Sequence, residues 1–463
     1  MSRFPLFQII GFAIVCFSIP PVWVQDTSAT QPRNIAPRIL KEMERDLAGW
    51  YPQCVDSQRG GFHTVLNRDW SIGSYSTKGI VSQARITWTA AEVARRRPQW
   101  HQRLEPIARH GATFLREKMW DAQCGGFYWE IKADGTPPDA NDTMKHTYGQ
   151  SFGIYAMATV YRLTKDENDL QLAKEAFYWL DRYGYDPKFG GYNEAFYRDG
   201  RPMLVPTQSE PNVKTGKVGE LLGTKSMNTH IHLLESFTAL YHVWPDPVLR
   251  SRLEELVYIV RDKITTWPGA MRMFFNNDWT AAATYVSFGH DVETVFLLIE
   301  AIEALGRPDD PQTLKVCRNL LDHSLEFGWD AENGGFFYEG ATFGHPVNRM
   351  KAWWTQAEGL NTLCIADLQF SKDGWDYAEL FVQQWQFIER HLIDPEYGGW
   401  YGETNDDGTQ VRGREKGHLW KTPYHEVRAK LNVVEMLENS GLIHPIENGQ
   451  TDHQVPCVSD AVF

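Results

Sequence analysis

The segment WDAQCGGFYWEIKADG, residues 120–135, recurs along the chain and predicts its fold. Other segments share its Gly-Gly pair, with an aspartate four residues before the pair and aromatic residues after it: 55–70, 185–200, 329–340 and 393–408. The pairs begin at residues 60, 125, 190, 334 and 398, so the successive spacings are 65, 65, 144 and 64 residues. Because 144 is close to twice the other spacings, we expect a sixth unit near residue 270. There WPGAMRMFFNNDW (267–279) keeps the aromatic residues but lacks the Gly-Gly pair, and a fixed period is typical of repeat architectures.

Each unit reads as a Gly-Gly loop, a short hairpin and two helical stretches. The first stretch is apolar, as in QSFGIYAMATVYRL (150–163), and the second is amphipathic, as in DLQLAKEAFYWLDRYG (169–184). Six such helical hairpins predict an all-α (α/α)6 barrel with short β-hairpin loops at one mouth. We expect the helix of residues 36–50 to pair with the last inner helix, near 423–438, and to close the ring. An open solenoid is the alternative. The repeated aspartates are expected to be turn residues, not calcium ligands.

The composition and the two ends of the chain limit which classes of protein this sequence can belong to. The chain has 463 residues, 42% of them hydrophobic, and its net charge of −13 argues against a nucleic-acid partner.

Residues 1–30 are expected to be a signal peptide or N-terminal anchor, because the apolar run is short for a membrane span. The catalytic barrel should then cover 34–445 and a tail 446–463, with no stable membrane span in the mature chain. The protein is expected to be exported (periplasmic or secreted) if the segment is a true signal peptide, and otherwise cytoplasmic. The six cysteines have no C-x-x-C pair and predict neither a disulfide framework nor a zinc site.

Polar side chains interrupt each predicted inner helix close to its start. Helix caps favour Ser, Thr, Asp and Asn, whereas most of these positions hold His, Arg, Glu, Tyr or Trp. In a closed ring the six helix starts meet at one mouth, so we interpret these side chains as one pocket. They are Arg85, Tyr148, Asn228, His232, His290, Glu293, Trp354, Glu358, His425 and Arg428.

The chemistry of this pocket is expected to be acid–base catalysis. The sequence has no phosphate-binding loop, dinucleotide fingerprint or G-x-S-x-G motif. The three histidines His232, His290 and His425 lie on separate helices without short ligand spacing, so we expect no metal and no cofactor. Imidazole titrates near neutral pH, so one ring can act as a base while another acts as an acid. Two such groups on opposite faces of a planar intermediate would invert a stereocentre.

At these residues the sequence resembles the N-acylglucosamine 2-epimerase superfamily and, within it, the cellobiose 2-epimerases. The resemblance runs from about residue 34 to 440, and its most specific motifs are NTHIHLLESFTALY (228–241), GHDVETVFLLIEA (289–301) and WKTPYHEVRAK (420–430). It implies an (α/α)6 barrel that needs no metal. The implied reaction inverts C2 of the reducing-end glucose of a β-1,4-linked disaccharide, converting cellobiose to glucosyl-mannose through a cis-enediol.

The resemblance also implies a role for each residue. His290 and His425 match the acid–base pair, Glu293 would orient His290, and His232 would bind the sugar and help ring opening. Arg85 would stabilise the enediolate. The remaining substrate-binding residues would be Tyr148, Asn228, Trp354 and Glu358. Glu426 stands where many cellobiose 2-epimerases have Asn, which would affect the choice of substrate.

Other functions remain possible for the same residues. An N-acylglucosamine 2-epimerase or a mannose-type aldose–ketose isomerase would use the same pocket. A glycoside hydrolase would use Glu293 and Glu358 as carboxyls facing each other across the scissile bond, and a non-catalytic sugar-binding barrel is a further alternative. The expected partner is a small-molecule sugar, and the expected assembly is a monomer or a weak homodimer.

Overall fold

A computed structural model describes residues 32–139, 143–205, 214–370, 373–411 and 415–441. These residues form twelve α-helices. Their bounds are α1 (Pro32–Trp50), α2 (Ile80–Arg96), α3 (Pro98–Phe114), α4 (Thr147–Thr164), α5 (Glu167–Tyr183), α6 (Met227–Tyr241), α7 (Pro247–Ile259), α8 (Phe288–Ala304), α9 (Pro311–His323), α10 (Trp353–Gln369), α11 (Tyr377–Phe387) and α12 (Tyr424–Asn439). One π-helical turn extends each of α3, α7, α9 and α11.

The helices form two concentric rings. The even-numbered helices pack side by side in the order α2, α4, α6, α8, α10 and α12, and α12 contacts α2 again. They are almost wholly buried, as in α2, where every residue from Ile80 to Ala94 is buried. The odd-numbered helices are amphipathic and pack outside, and α1 packs against α12. The closed (α/α)6 barrel and the closing pair of helices are therefore confirmed, and the open solenoid is excluded.

Short antiparallel strands join neighbouring units around one mouth of the barrel. The strand before each inner helix pairs with the hairpin of the next unit: β1 with β2, β3 with β4, β5 with β8, β9 with β10, and β12 with β13. A backbone bridge between Leu66 and Gly417 links the last unit to the first. The strands are β1 (Thr77–Gly79), β2 (Glu130–Lys132), β3 (Lys145–His146), β4 (Ala195–Phe196), β5 (Thr224–Ser226), β6 (Thr265–Thr266), β7 (Ala270–Met271), β8 (Phe274–Asn276), β9 (Tyr285–Ser287), β10 (Glu339–Ala341), β11 (Pro346–Asn348), β12 (Lys351–Ala352) and β13 (Glu403–Thr404).

The repeated aspartate is a turn residue with a buried lysine partner. Asp121 accepts hydrogen bonds from the backbone N–H groups of Gln123 and Cys124, and its other oxygen lies 3.0 Å from Nζ of Lys145. Gly126 adopts a φ of 76°, and a Cβ there would lie 2.9 Å from the Trp179 ring. The same pairing recurs in the other Gly-Gly units, between Lys78 and Asp56, Lys225 and Asp186, Lys351 and Asp330, and Lys416 and Asp394. Each hairpin is thus tied to the start of its own inner helix.

The segment without a Gly-Gly pair occupies the same place as the other hairpins. In α2, α4 and α10 a glutamine at the fourth position binds the backbone of the residue that follows the Gly-Gly pair, as Gln150 binds Phe127. The fourth residue of α8 is Asp291, which accepts a hydrogen bond from the backbone N–H of Met271 at 3.0 Å. The unit expected near residue 270 is therefore present and completes the ring of six.

Two expectations fall at the chain ends. The N-terminal signal or anchor segment and the C-terminal tail lie outside the described residues. Within the described ranges, no helix combines the length and the apolar character that a membrane span requires. The described cysteines, Cys54, Cys124, Cys317 and Cys364, are free thiols.

Candidate active site

A pocket of about 620 Å³ opens at the mouth where the inner helices begin. Eight of the ten side chains expected to form the pocket line it: Arg85, Tyr148, Asn228, His232, His290, Glu293, Trp354 and His425. They occupy the second, third or sixth positions of their helices. The first two turns of each inner helix therefore face the centre of the barrel mouth. The other two, Glu358 and Arg428, are buried and are not among the residues that line the pocket.

Arg428 is the centre of the polar layer beneath the pocket. Its Nη2 lies 2.6 Å from Oε1 of Glu293 and 2.7 Å from Oε1 of Glu358, and its Nη1 pairs with Glu235 and the hydroxyl of Tyr424. Burial would lower the pKa of the guanidinium, but the surrounding carboxylates hold it well above its usual value. One buried cation thus pairs with carboxylates from three neighbouring inner helices.

The hydrogen bonds of His425 fix its proton. Nδ1 lies 2.7 Å from Oε1 of Glu358 and 3.9 Å from Oε1 of Glu293. Because a carboxylate accepts, Nδ1 carries the ring proton and Nε2 keeps a free lone pair. Burial and the charge of Arg85 lower the pKa of His425 well below 6.5, so the ring is neutral at pH 7. The arrangement suits a base whose imidazolium form would be stabilised by the carboxylate behind it.

His290 is held differently from the prediction. Its Nδ1 lies 2.8 Å from Oγ of Ser287, the residue before α8, whereas Glu293 turns to Arg428. The predicted contact of Glu293 with His290 is therefore wrong, because the partner of this carboxylate comes from another helix. Burial lowers the pKa of His290 well below 6.5. The Trp354 ring packs against both histidines, with ring centroids 4.6 Å from His290 and 5.8 Å from His425.

His232 has its own carboxylate partner. Its Nδ1 lies 2.9 Å from Oε2 of Glu235, one turn further along α6. Burial would raise the pKa of Glu235, but Arg428 and His232 lower it to about 2, so this carboxylate is charged. The His232 ring packs against Tyr148 and Phe152, with centroids 5.2 and 4.9 Å away. This histidine is thus fixed in orientation on the pocket wall.

Arg85 places a fixed positive charge on the wall formed by α2. Its Nη1 donates to the carbonyl of Trp420 at 3.2 Å and its Nη2 to the hydroxyl of Tyr148 at 3.1 Å. The guanidinium carbon lies 4.4 Å from the Phe152 ring and 5.0 Å from the Tyr424 ring. Burial raises the pKa of Tyr148 to about 12, so its hydroxyl stays protonated. Arg85 and Tyr148 can therefore donate to oxygen atoms of a bound sugar.

The loops and hairpins, together with Trp353 at the first position of α10, supply pocket residues that the sequence pattern did not identify. They are Lys217, Val218, Gly219, Tyr338, Asn348, Met350, Ala352, Trp353, Glu403, His418 and Trp420. The high aromatic content hinted at some of them, but a residue in a loop has no helical phase that would place it. Glu426, which was expected to affect substrate choice, is fully buried and contacts Trp50 and Lys421 instead of lining the pocket.

Among the described residues, two clusters bring three potential metal ligands within 4.8 Å of one another. One consists of Glu293 and His425, which line the pocket, with Glu358 behind them, and the other consists of His146, Glu194 and Glu220. In the first, a metal ion would face the Arg428 guanidinium already bound to both carboxylates. In the second, Nδ1 of His146 accepts the N–H of Tyr148, which puts the ring proton on Nε2, the potential ligand atom. Both sets fit hydrogen-bonded clusters better than metal sites.

Comparison with known proteins agrees with this geometry. Residues 60–429 match the family described as N-acylglucosamine 2-epimerase (GlcNAc 2-epimerase). The chain is 30% identical over 403 residues to a cellobiose 2-epimerase of Bacteroides fragilis, covering 86% of this chain and 99% of that one. A cellobiose 2-epimerase of Ruminococcus albus is 29% identical, with 86% and 97% covered. The solved structure of cellobiose 2-epimerase from Spirochaeta thermophila is similar with a TM-score of 0.77 at 29% identity, covering 91% of this chain and all of that one.

Proposed function

The chain belongs to the N-acylglucosamine 2-epimerase family, and we propose that it inverts C2 of the reducing-end glucose of a β-1,4-linked disaccharide, converting cellobiose to glucosyl-mannose. The observation that carries this proposal is the convergence of His290 and His425 on one pocket beside Arg85. The names of the relatives that are 29–30% identical over most of both chains support the choice of reaction and substrate.

The proton transfers are assigned to the two histidines. In the forward direction, Nε2 of His425 takes the C2 proton of the ring-opened sugar, and Glu358 stabilises the imidazolium that forms. His290 enters the reaction in its protonated form, which is a minor species at pH 7 because burial lowers its pKa but is a strong donor for the same reason, and it returns that proton to the opposite face of C2. The roles exchange in the reverse direction. Inversion requires the two rings to act on opposite faces of the planar cis-enediol, and their positions on two different inner helices, α8 and α12, support this assignment.

Arg85 and Tyr148 are assigned to the oxygen atoms at C1 and C2. When the C2 proton leaves, negative charge moves onto the carbonyl oxygen at C1. A fixed guanidinium in a buried pocket stabilises this charge without reorganising at the moment of reaction. His232, oriented by Glu235, binds the same end of the sugar and assists ring opening.

The carboxylates do not favour a glycoside hydrolase. An inverting hydrolase needs two carboxyl groups about 6.5 to 9.5 Å apart that face each other across the substrate. Here Glu293 and Glu358 both bind Nη2 of Arg428, and Glu358 does not line the pocket. Neither carboxylate is placed to protonate a leaving group or to activate water opposite the other.

Proton NMR of the purified protein with cellobiose in heavy water, with EDTA present, tests the proposal. We expect glucosyl-mannose to appear with deuterium at C2. His290→Ala and His425→Ala should each abolish epimerisation, and His425→Ala, which lacks the proposed base, should also abolish C2 exchange of cellobiose. His101→Ala, at a half-exposed histidine on α3, is the matched control and should leave the rate unchanged.

Each other product would refute the proposal in its own way. Free glucose would indicate hydrolysis and redirect attention to the carboxylates. A ketose would keep the enediol but place the returned proton on C1, as in an aldose–ketose isomerase. Exchange at C2 with N-acetylglucosamine but not with cellobiose would assign the N-acylglucosamine reaction.

A further inference from the structure

A short hairpin of the third unit forms part of the pocket mouth. We call residues 214–222 the rim loop. Backbone hydrogen bonds close it, from Leu222 N to Lys214 O at 3.0 Å and from Gly216 N to Glu220 O at 2.9 Å. Its tip, Lys217, Val218 and Gly219, lines the pocket but belongs to no inner helix. The tip is partly exposed, in contrast to the buried histidines at the base of the pocket.

The rim loop is anchored by a buried carboxylate. Glu220 is only 1% exposed, and its Oε1 lies 2.8 Å from Nε2 of His146. Because Nδ1 of His146 accepts the N–H of Tyr148, the neutral ring carries its proton on Nε2 and donates it to Glu220. The other oxygen of Glu220 accepts the N–H of Val218 at 3.2 Å. The carboxylate thus joins the tip of the rim loop to the first residues of α4.

Glu194 extends the anchor to α6. Its Oε1 accepts the N–H of Ser226 at 2.6 Å, and its Oε2 accepts the hydroxyl of Thr229 and lies 3.8 Å from Nε2 of His146. Ser226 and Thr229 flank Asn228 in the pocket wall. The cluster therefore connects the rim loop to the two helix starts that present Tyr148 and Asn228.

We propose that Glu220 is a positioning residue that holds the rim loop over the part of the substrate beyond the reacting sugar, and so determines the affinity for disaccharides. This inference rests on the proposed function, which places the reducing end at the buried histidines. A disaccharide bound in that direction extends its second sugar toward the mouth, where the rim loop lies. An anchored loop is already ordered, so binding does not have to supply the cost of ordering it. A monosaccharide would not reach the loop.

A substitution at Gly216 offers a second way to test the anchoring of the rim loop by Glu220. A Cβ built on Gly216 would lie 1.4 Å from Oε1 of Glu220, so Gly216→Ala displaces the carboxylate without removing any charged group. Leu221→Ala is the matched control, because Leu221 is in the same loop, is 59% exposed and does not line the pocket. The Gly216 variant keeps the inference testable if Glu220→Ala lowers the yield of folded protein.

The experiment is a binding titration that follows the fluorescence of the tryptophans lining the pocket, Trp353, Trp354 and Trp420. We expect Glu220→Ala and Gly216→Ala each to weaken cellobiose binding about tenfold, the loss typical of one contact worth about 1.4 kcal/mol. Mannose binding should be unchanged in every variant, as should cellobiose binding in Leu221→Ala. In turnover, the same two variants should raise KM for cellobiose and leave kcat within about twofold, since the acid–base residues are untouched.

Three results would overturn the inference. Equal losses for mannose and cellobiose would show that the cluster only supports Tyr148 and the fold. Unchanged cellobiose binding in both variants would show that the anchor does not act on the substrate. Wild-type protein that binds cellobiose no more tightly than mannose would remove the second-sugar contact altogether. Because the titration measures binding, a failure of C2 exchange in the NMR experiment would refute the proposed function separately.

Discussion

The replacement Glu358→Gln separates charge from geometry at the proposed base. Oε1 of Glu358 accepts hydrogen bonds from both His425 and Arg428, whereas Oε2 has no hydrogen-bond partner among the described residues. A glutamine can place its amide oxygen at the Oε1 position and its NH₂ group at the Oε2 position. The variant therefore keeps the orientation and tautomer of His425 and removes the negative charge.

Two estimates bracket the expected loss. A hydrogen bond to a charged group contributes about 1.5–3 kcal/mol against about 0.5–1.5 for a neutral one, a difference of about 1–1.5 kcal/mol. The Coulomb attraction between unit charges about 4 Å apart at an effective dielectric constant of 20 is about 4 kcal/mol, which sets the upper limit. Since about 1.4 kcal/mol corresponds to tenfold in rate, kcat should fall by about 10- to 1000-fold.

Steady-state epimerisation of cellobiose with product analysis measures this loss. KM should change by less than about threefold, because an interaction made only in the transition state affects kcat. Glu293→Gln is the matched control: it also binds Arg428 but lies 3.9 Å from Nδ1 of His425, so its loss should be smaller. A Glu358→Gln enzyme with kcat within twofold of wild type, or with a change confined to KM, would refute the charge argument.

Other properties of the molecule lead to three further predictions. The acid limb of the kcat/KM profile should lie below pH 6.5, because burial and the charge of Arg85 lower the pKa of His425, the proposed base, and its neutral ring persists until the pH falls through that lowered value; a limb above pH 6.5 would contradict this. Arg428→Met should lower the free energy of unfolding by about 3–5 kcal/mol, because it leaves buried carboxylates without their cation; chemical denaturation measures it, and an unchanged midpoint would count against it. Gly126→Ala should cost about 2 kcal/mol more than Gly306→Ala, because both residues have positive φ but only the first would contact a ring, that of Trp179; equal costs by the same assay would argue against the contact.

The fold could be predicted because each unit repeats the same pattern of loop and helices. Even the unit without Gly-Gly was placed correctly by arithmetic on the spacings. The buried lysine partners were not predicted. Lys78 lies 22 residues after Asp56, and Lys225 lies 39 residues after Asp186, in segments that read as polar loops. A lysine in such a segment is expected to be exposed, and only the folded hairpin encloses its charge.

The sequence predicts which side chains face the pocket, but not which of them hydrogen-bond to one another. The start of each inner helix fixes which side chains face the centre, so periodicity identified them. Which carboxylate binds which histidine depends on packing between helices. His290 and Glu293 are three residues apart on α8, yet Glu293 binds Arg428 on α12, and Glu358 of α10 binds His425. Spacing along one helix carries no information about such contacts.

Closure of the ring by α12 has a consequence for the order in which the protein is made. This helix is the last of the twelve to leave the ribosome, and it carries both His425 and Arg428. Until it inserts between α10 and α2, the carboxylates of α6, α8 and α10 have no cation in the space they enclose. A nascent chain that stops before residue 424 therefore buries unpaired charge and lacks one of its two proposed acid–base groups. Completion of the barrel and the onset of activity should therefore both await α12.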